Sequence, residues 1–230
     1  MSEREARSQA WAMRVHSGRR GRLFYGVVVR LVRWLLLPYL RVRRAGTERL
    51  AMPGPVILAP VHRSNLDSVI IAGVSARRIR ALGKESLFAH PVFAWINAAL
   101  GAIPVRRGEA DRQAMRAAQE IITGGEMMIV FPEGTRQSGP TVEGLFDGTA
   151  YLAQKTGAPI VPIGIGGTEA AMGSGSRGIR RVRCAVVVGE PIRPPEGRTS
   201  RPQLAEFSAT VSAELQRVFD EARELAGDEG

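Results

Sequence analysis

The sequence predicts an α/β fold: a largely parallel central sheet flanked by helices, preceded by an N-terminal amphipathic helical segment. Three observations carry this expectation. Short apolar runs alternate with helical stretches through most of the chain, as strands and covering helices do when the strands run parallel. The C-terminal stretch repeats apolar residues at three- and four-residue spacing, the mark of a long helix laid on a sheet face. Charge is also divided unevenly, because residues 1–50 carry 12 Arg and 3 Glu, whereas residues 51–230 carry 20 Lys+Arg and 19 Asp+Glu.

The first element lies within Leu23–Leu40, LFYGVVVRLVRWLLLPYL, which is nearly long enough for a membrane span but is interrupted by Arg30 and Arg33. On a helix, Arg22, Arg30, Arg33, Arg41 and Arg44 fall within an arc of about 100°, and Leu23, Val27, Leu31, Trp34 and Leu35 lie away from it. Pro38 is placed to kink the last turn. An arginine stripe beside an apolar, Trp-containing face suits a helix lying in an anionic membrane surface. A helix docked on its own domain with its arginines in water is the alternative. Arg-Val-Arg-Arg follows where a secretory signal would carry small residues, so the segment is expected to be retained, with the body at the cytoplasmic face of the membrane as a peripheral or monotopic protein. Residues 1–50 are therefore expected to form a basic membrane-association segment and residues 51–230 a nearly neutral folded domain.

Strands are expected at Val56–Val61, Ile79–Gly83, Ala102–Val105, Met127–Phe131, Ile160–Ile165 and Val182–Val188, and helices at Leu66–Val74, Phe88–Leu100, Asp111–Ile122 and Leu145–Thr156. Gly124-Gly125 and Gly157 are natural stops. The last helix carries Leu204, Phe207, Val211, Leu215, Val218, Ala222 and Leu225, with Ser200 and Gln203 spaced as a capping box.

Composition sets outer limits. With 230 residues, 44% hydrophobic and 23% charged, the chain can bury a core and resembles neither a disordered nor a multi-span membrane protein. A lone cysteine, Cys184, allows neither an intrachain disulfide nor a zinc cluster, so no metal is expected. The near-neutral body argues against a nucleic-acid partner.

Three constellations carry chemistry. His62-Arg63-Ser64-Asn65-Leu66-Asp67 sits on a strand-to-helix corner. An imidazole becomes an effective general base when a carboxylate holds its tautomer and stabilises its cation, and Asp67 is the nearest candidate. The two can meet if the chain turns into the helix between them, with Ser64 or Asn65 as cap; a loop histidine and a capping aspartate are the alternative. Phe131-Pro132-Glu133-Gly134-Thr135-Arg136 and Gly101-Ala102-Ile103-Pro104-Val105-Arg106-Arg107 each place arginine at a strand end, where a guanidinium could grip phosphate or simply face solvent.

In order and spacing these segments, with Ala158-Pro159-Ile160-Val161-Pro162, resemble the glycerolipid acyltransferase family, which includes bacterial 1-acylglycerol-3-phosphate acyltransferases; the resemblance covers about residues 50–190. It implies an enzyme that moves a fatty acyl group from acyl-CoA or acyl-carrier protein to the free hydroxyl of lysophosphatidic acid, giving phosphatidic acid for phospholipid biosynthesis. By the same resemblance His62 would be the base, Asp67 its partner, Glu133, Gly134, Thr135 and Arg136 the acceptor-binding turn, and Arg107 a second phosphate ligand. No cofactor beyond the thioester co-substrate is implied. Arg106 and Asp147 depart from the family pattern, so another acceptor (glycerol 3-phosphate, a different lysophospholipid or a glycolipid) is kept in view, as are a lipid hydrolase and a non-catalytic lipid-binding protein.

Two further patterns carry less. Gly173-Ser174-Gly175-Ser176-Arg177-Gly178 matches a dinucleotide fingerprint on paper but leads into an apolar strand-like run, where a loop is the better reading. His16 and His90 lack ligand-spaced partners and are read as structural or exposed.

Overall fold

The structure, a computed structural model, describes residues 3–105, 111–143, 147–176, 178–197 and 199–227. Seven strands form one sheet in the order β1-β7-β6-β2-β5-β3-β4. They are β1 (Arg43–Ala45), β2 (Val56–Pro60), β3 (Ile79–Lys84), β4 (Ala102–Val105), β5 (Met127–Ile129), β6 (Ile160–Gly166) and β7 (Ala185–Val188). All neighbours run parallel except β6 and β7. Every residue of β2 and β6 is buried, as expected of apolar strands covered on both faces.

The helices are α1 (Glu3–Ser17), α2 (Arg19–Leu31), α3 (Leu37–Tyr39), α4 (Leu66–Val74), α5 (Pro91–Ala99), α6 (Asp111–Thr123), α7 (Gly148–Thr156), α8 (Thr168–Met172) and α9 (Arg201–Ala226). The expected α4 and β4 coincide with the observed ones. The helix expected from Phe88 begins at Pro91, after a 3-10 turn over Glu85–Phe88, because the proline sets the first helical turn. The Ser200–Gln203 capping box is present at α9. This helix lies directly on β6, and Gly164 makes the approach possible, since a Cβ there would stand 1.9 Å from the Val218 carbonyl oxygen.

The N-terminal segment departs most from expectation. Its boundary at residue 50 falls inside the fold: β1 pairs with β7, and Leu37, Leu40 and Leu50 are buried with the residues of β2 and β6. Helix α1 covers the sheet edge, where the Gln9 side-chain amide donates to the Pro104 carbonyl at 3.2 Å. Helix α2 continues through a π segment, Val32–Leu36, into α3. Tyr25, Val29, Val32 and Leu37 face inward, while Leu23, Val27, Leu31, Trp34, Leu35 and Tyr39 are exposed. Arg33 is exposed, but its guanidinium also ties the segment to the body, donating to the carbonyls of Gly73 (2.7 Å) and Ser75 (2.5 Å) at the end of α4. Among the described residues no helix is long and apolar enough to cross a membrane.

His16 locks α1 in place. It is fully buried, its Nδ1 donates to the Ala99 carbonyl at 3.0 Å, and its ring meets Tyr25 edge-on. Burial, then the neighbouring Arg80, lower its pKa from 6.5 to about 4. A histidine held neutral stabilises the fold fully above its unfolded pKa and loses that contribution as pH falls from about 6.5 towards 4. Urea unfolding at pH 7.5 and 4.5 should therefore show roughly 2–3 kcal/mol of acid destabilisation from this residue. His16→Phe should show a correspondingly flatter pH dependence, and an equal slope in both proteins would refute the assignment.

Candidate active site

The carboxyl ends of β2, β5 and β6 bring three loops together, as parallel α/β sheets do. His62 leaves β2, and the chain turns sharply into α4. The Ser64 hydroxyl makes that corner: it accepts from the Leu66 N–H at 3.1 Å and donates to the Met172 carbonyl at 2.6 Å. The turn closes the five-residue separation, so that His62 Nδ1 stands 3.0 Å from Asp67 Oδ2. The same oxygen accepts backbone N–H groups from Arg63 (2.8 Å) and Ser64 (2.7 Å), and the Thr168 hydroxyl donates to the other oxygen, Oδ1, at 2.7 Å. Asp67 is fully buried. A carboxylate so surrounded by donors is held as an acceptor, which places the proton on Nδ1 and leaves a lone pair on His62 Nε2. Phe131 stacks on the imidazole with ring centroids 3.8 Å apart.

Glu133, expected on the acceptor-binding turn, has its carboxylate turned inward against the histidine corner. It is 1% exposed, and its carboxylate accepts from Arg63 Nη1 at 2.7 and 2.8 Å and from the His62 backbone N–H at 2.8 Å. Arg63, itself 2% exposed, also donates to the carbonyls of Gly139 (3.0 Å) and Thr141 (2.9 Å) and lies over the Phe219 ring. This buried pair ties β5, its following loop and α9 to the histidine corner. Gly134, Thr135 and Arg136 are exposed on the turn beside it, and the Gln137 N–H donates to the His62 carbonyl at 2.8 Å. Arg107 lies outside the described residues.

Sequence reasoning missed Arg63, Phe131 and Thr168 as partners of the histidine. Arg63 and Phe131 stand inside the singled-out strings, whereas Thr168 is 101 residues from Asp67 and carries no local signal. Cys184 is no competitor as a nucleophile: burial first, then the charge of Asp67, push its thiol up to about 12. Among the described residues no group of three or more His, Cys, Asp or Glu is placed to hold a metal ion. The arrangement can accept a proton from a hydroxyl at Nε2 and hold the resulting imidazolium against a buried carboxylate.

A family model described as "Acyltransferase" matches residues 41–166. The chain is 27% identical over 161 residues to a chloroplastic 1-acyl-sn-glycerol-3-phosphate acyltransferase of Arabidopsis thaliana, covering 68% of this chain and 45% of that one. It is 23% identical over 184 residues to a 1-acyl-sn-glycerol-3-phosphate acyltransferase of Bacillus subtilis, covering 77% and 88%. The chain spans about half the length of the chloroplastic relatives. The crystal structure of a 1-acyl-sn-glycerophosphate acyltransferase from Thermotoga maritima superposes with a TM-score of 0.70 at 25% identity, covering 96% of this chain and 83% of that one.

Proposed function

The chain belongs to the acyltransferase family, and we propose from this and from its site that it acylates 1-acylglycerol 3-phosphate to phosphatidic acid, using acyl-CoA or acyl-carrier protein. The observation that carries the reading is the 3.0 Å His62–Asp67 pair at the sheet's carboxyl end, beside the exposed Gly134–Arg136 turn. His62 Nε2 takes the proton of the acceptor hydroxyl, and the oxygen attacks the thioester carbonyl carbon. As the C–S bond breaks, the leaving thiolate takes the proton from the imidazolium, which restores the base. Such general-base assistance is worth about 10²–10⁴ in rate. Arg136, with Gly134 and Thr135, grips the acceptor phosphate, and Arg107 is proposed as its second ligand. Glu133 acts on this site through the backbone of His62 and through Arg63. The experiment is the mass of the lipid formed from defined thioesters and acceptors: phosphatidic acid supports the reading, whereas free fatty acid, a product from another acceptor, or no product overturns it.

The same proposal places the protein at the cytoplasmic face of an anionic membrane, as a peripheral or monotopic protein. What supports it is the exposed apolar row Leu23, Val27, Leu31, Trp34, Leu35 and Tyr39, with Arg22, Arg30 and Arg41 exposed near it. Val92 and Phe93 on the adjoining α5 are also exposed, and α2 and α5 meet through Phe24 and Trp95. A loop distant in sequence joins the surface: Arg181 lines a groove with Trp34, Leu35, Leu36, Pro38 and Tyr39, and the Tyr39 hydroxyl donates to the Ile179 carbonyl. Trp34 and Leu35 are 78% and 64% exposed, so replacing both with serine should leave the fold intact. Each loses roughly 2 kcal/mol of lipid burial, which should cut co-sedimentation with phosphatidylglycerol vesicles at least about tenfold. Undiminished binding by the double variant would remove this helix from the contact.

A further inference from the structure

We infer that Thr168 is a positioning residue for the general base, acting on His62 through the far oxygen of Asp67; the inference rests on the reading of His62 as that base. Three donors converge on Asp67 Oδ2, and two of them, the N–H groups of Arg63 and Ser64, come from the corner itself. Oδ1 receives the Thr168 hydroxyl at 2.7 Å, a bond between two fully buried side chains. Thr168 reaches this place because β6 ends in a turn that only Gly167 fits, with φ +80° and a Cβ position 2.3 Å from the Arg183 carbonyl oxygen.

The chemistry follows from where the charge of the carboxylate resides. A hydroxyl donating to Oδ1 draws part of the negative charge to that oxygen and fixes the rotation of the carboxylate plane. With the hydroxyl gone, the charge concentrates on Oδ2, the oxygen that faces the imidazole, and the imidazolium is over-stabilised. A base too strongly protonated is a poorer base near neutral pH. Among the described residues, the charged and titratable groups on the elements around the pair include Arg63 and Glu133, which neutralise one another, Glu169 next to Thr168, whose carboxylate accepts from the Gly139 N–H, Arg136 on the exposed turn, and the Cys184 thiol, which stays protonated.

The test uses the full chain with Thr168→Val, which matches threonine in shape but cannot donate, and Thr168→Ser, which keeps the hydroxyl. The His62 pKa is read by NMR titration, its resonance assigned by its loss in His62→Ala; this readout does not depend on any substrate. Thr168→Val should move that titration to higher pH, and Thr168→Ser should leave it near its wild-type position. In the transfer assay the acid limb of the kcat profile should move up in pH with the valine variant, so that kcat on that limb falls several-fold while KM for the acceptor is unchanged. A His62 titration that does not move in Thr168→Val, or one that moves equally in both variants, overturns the inference. If the wild-type chain forms no phosphatidic acid while the titration moves as stated, the functional reading fails and the coupling of Thr168 to His62 stands.

Discussion

His62→Ala should lower turnover by about 10³-fold or more while leaving the melting temperature within a few degrees of wild type. The catalytic loss is large because His62, proposed as the base, would be both the proton acceptor and, after attack, the proton donor. The structural loss is small because His62 is partly exposed and gives up mainly its stacking on Phe131. Asp67→Asn should be similarly inactive for a different reason: an amide at this position neither stabilises the imidazolium nor fixes Nδ1 as the protonated nitrogen. It should also be less stable than His62→Ala, because the backbone donors of Arg63 and Ser64 would lose a buried anion. Single-turnover rates with a short-chain acceptor, measured beside thermal melts, check both variants. Transfer by His62→Ala at a rate near wild type would remove the general-base assignment.

The largest effect on stability should come from Glu133→Ala, which leaves the guanidinium of Arg63 buried at 2% exposure without its counter-charge. Breaking a buried pair from one side costs about 3–5 kcal/mol, a large fraction of the whole stability of a domain. Removing both charges with Arg63→Met and Glu133→Leu together should recover much of that loss, since two apolar side chains leave no stranded charge. Activity should not return with stability. The His62 N–H would lack its acceptor, and the loop carbonyls of Gly139 and Thr141 would lose the donors that hold them. Denaturation midpoints and transfer rates for the single and double variants separate the two outcomes. A double variant as active as wild type would show that the pair does not position the histidine.

The sequence by itself determined most of the sheet, most of its helices and the pairing of His62 with Asp67. Apolar periodicity reports which residues leave water, and that is a local property, so the strands β2 through β6 and the helices α4 and α9 could be placed without knowing their neighbours. The His62–Asp67 pair could be anticipated because a sharp strand-to-helix corner closes a five-residue gap. The exposed row from Leu23 to Leu35 follows from helical phase in the same way.

Tertiary structure alone decided the partners of polar groups. Arg44 counts by helical phase as a member of the arginine stripe, yet Arg43–Ala45 becomes β1 because an edge strand needs only the backbone groups of β7 and can leave its side chains in water. Arg33 looks like one more member of a basic stripe until α4 brings two carbonyl groups within its reach. Glu133 stands in a string of residues suited to a ligand, but Arg63, 70 positions away, draws its carboxylate inward. The Thr168–Asp67 bond depends on how β6 and β2 lie side by side. In each case the deciding term is the desolvation of a polar group, which must be balanced by whatever donor or acceptor the fold delivers, and no periodicity in the chain records which one that will be.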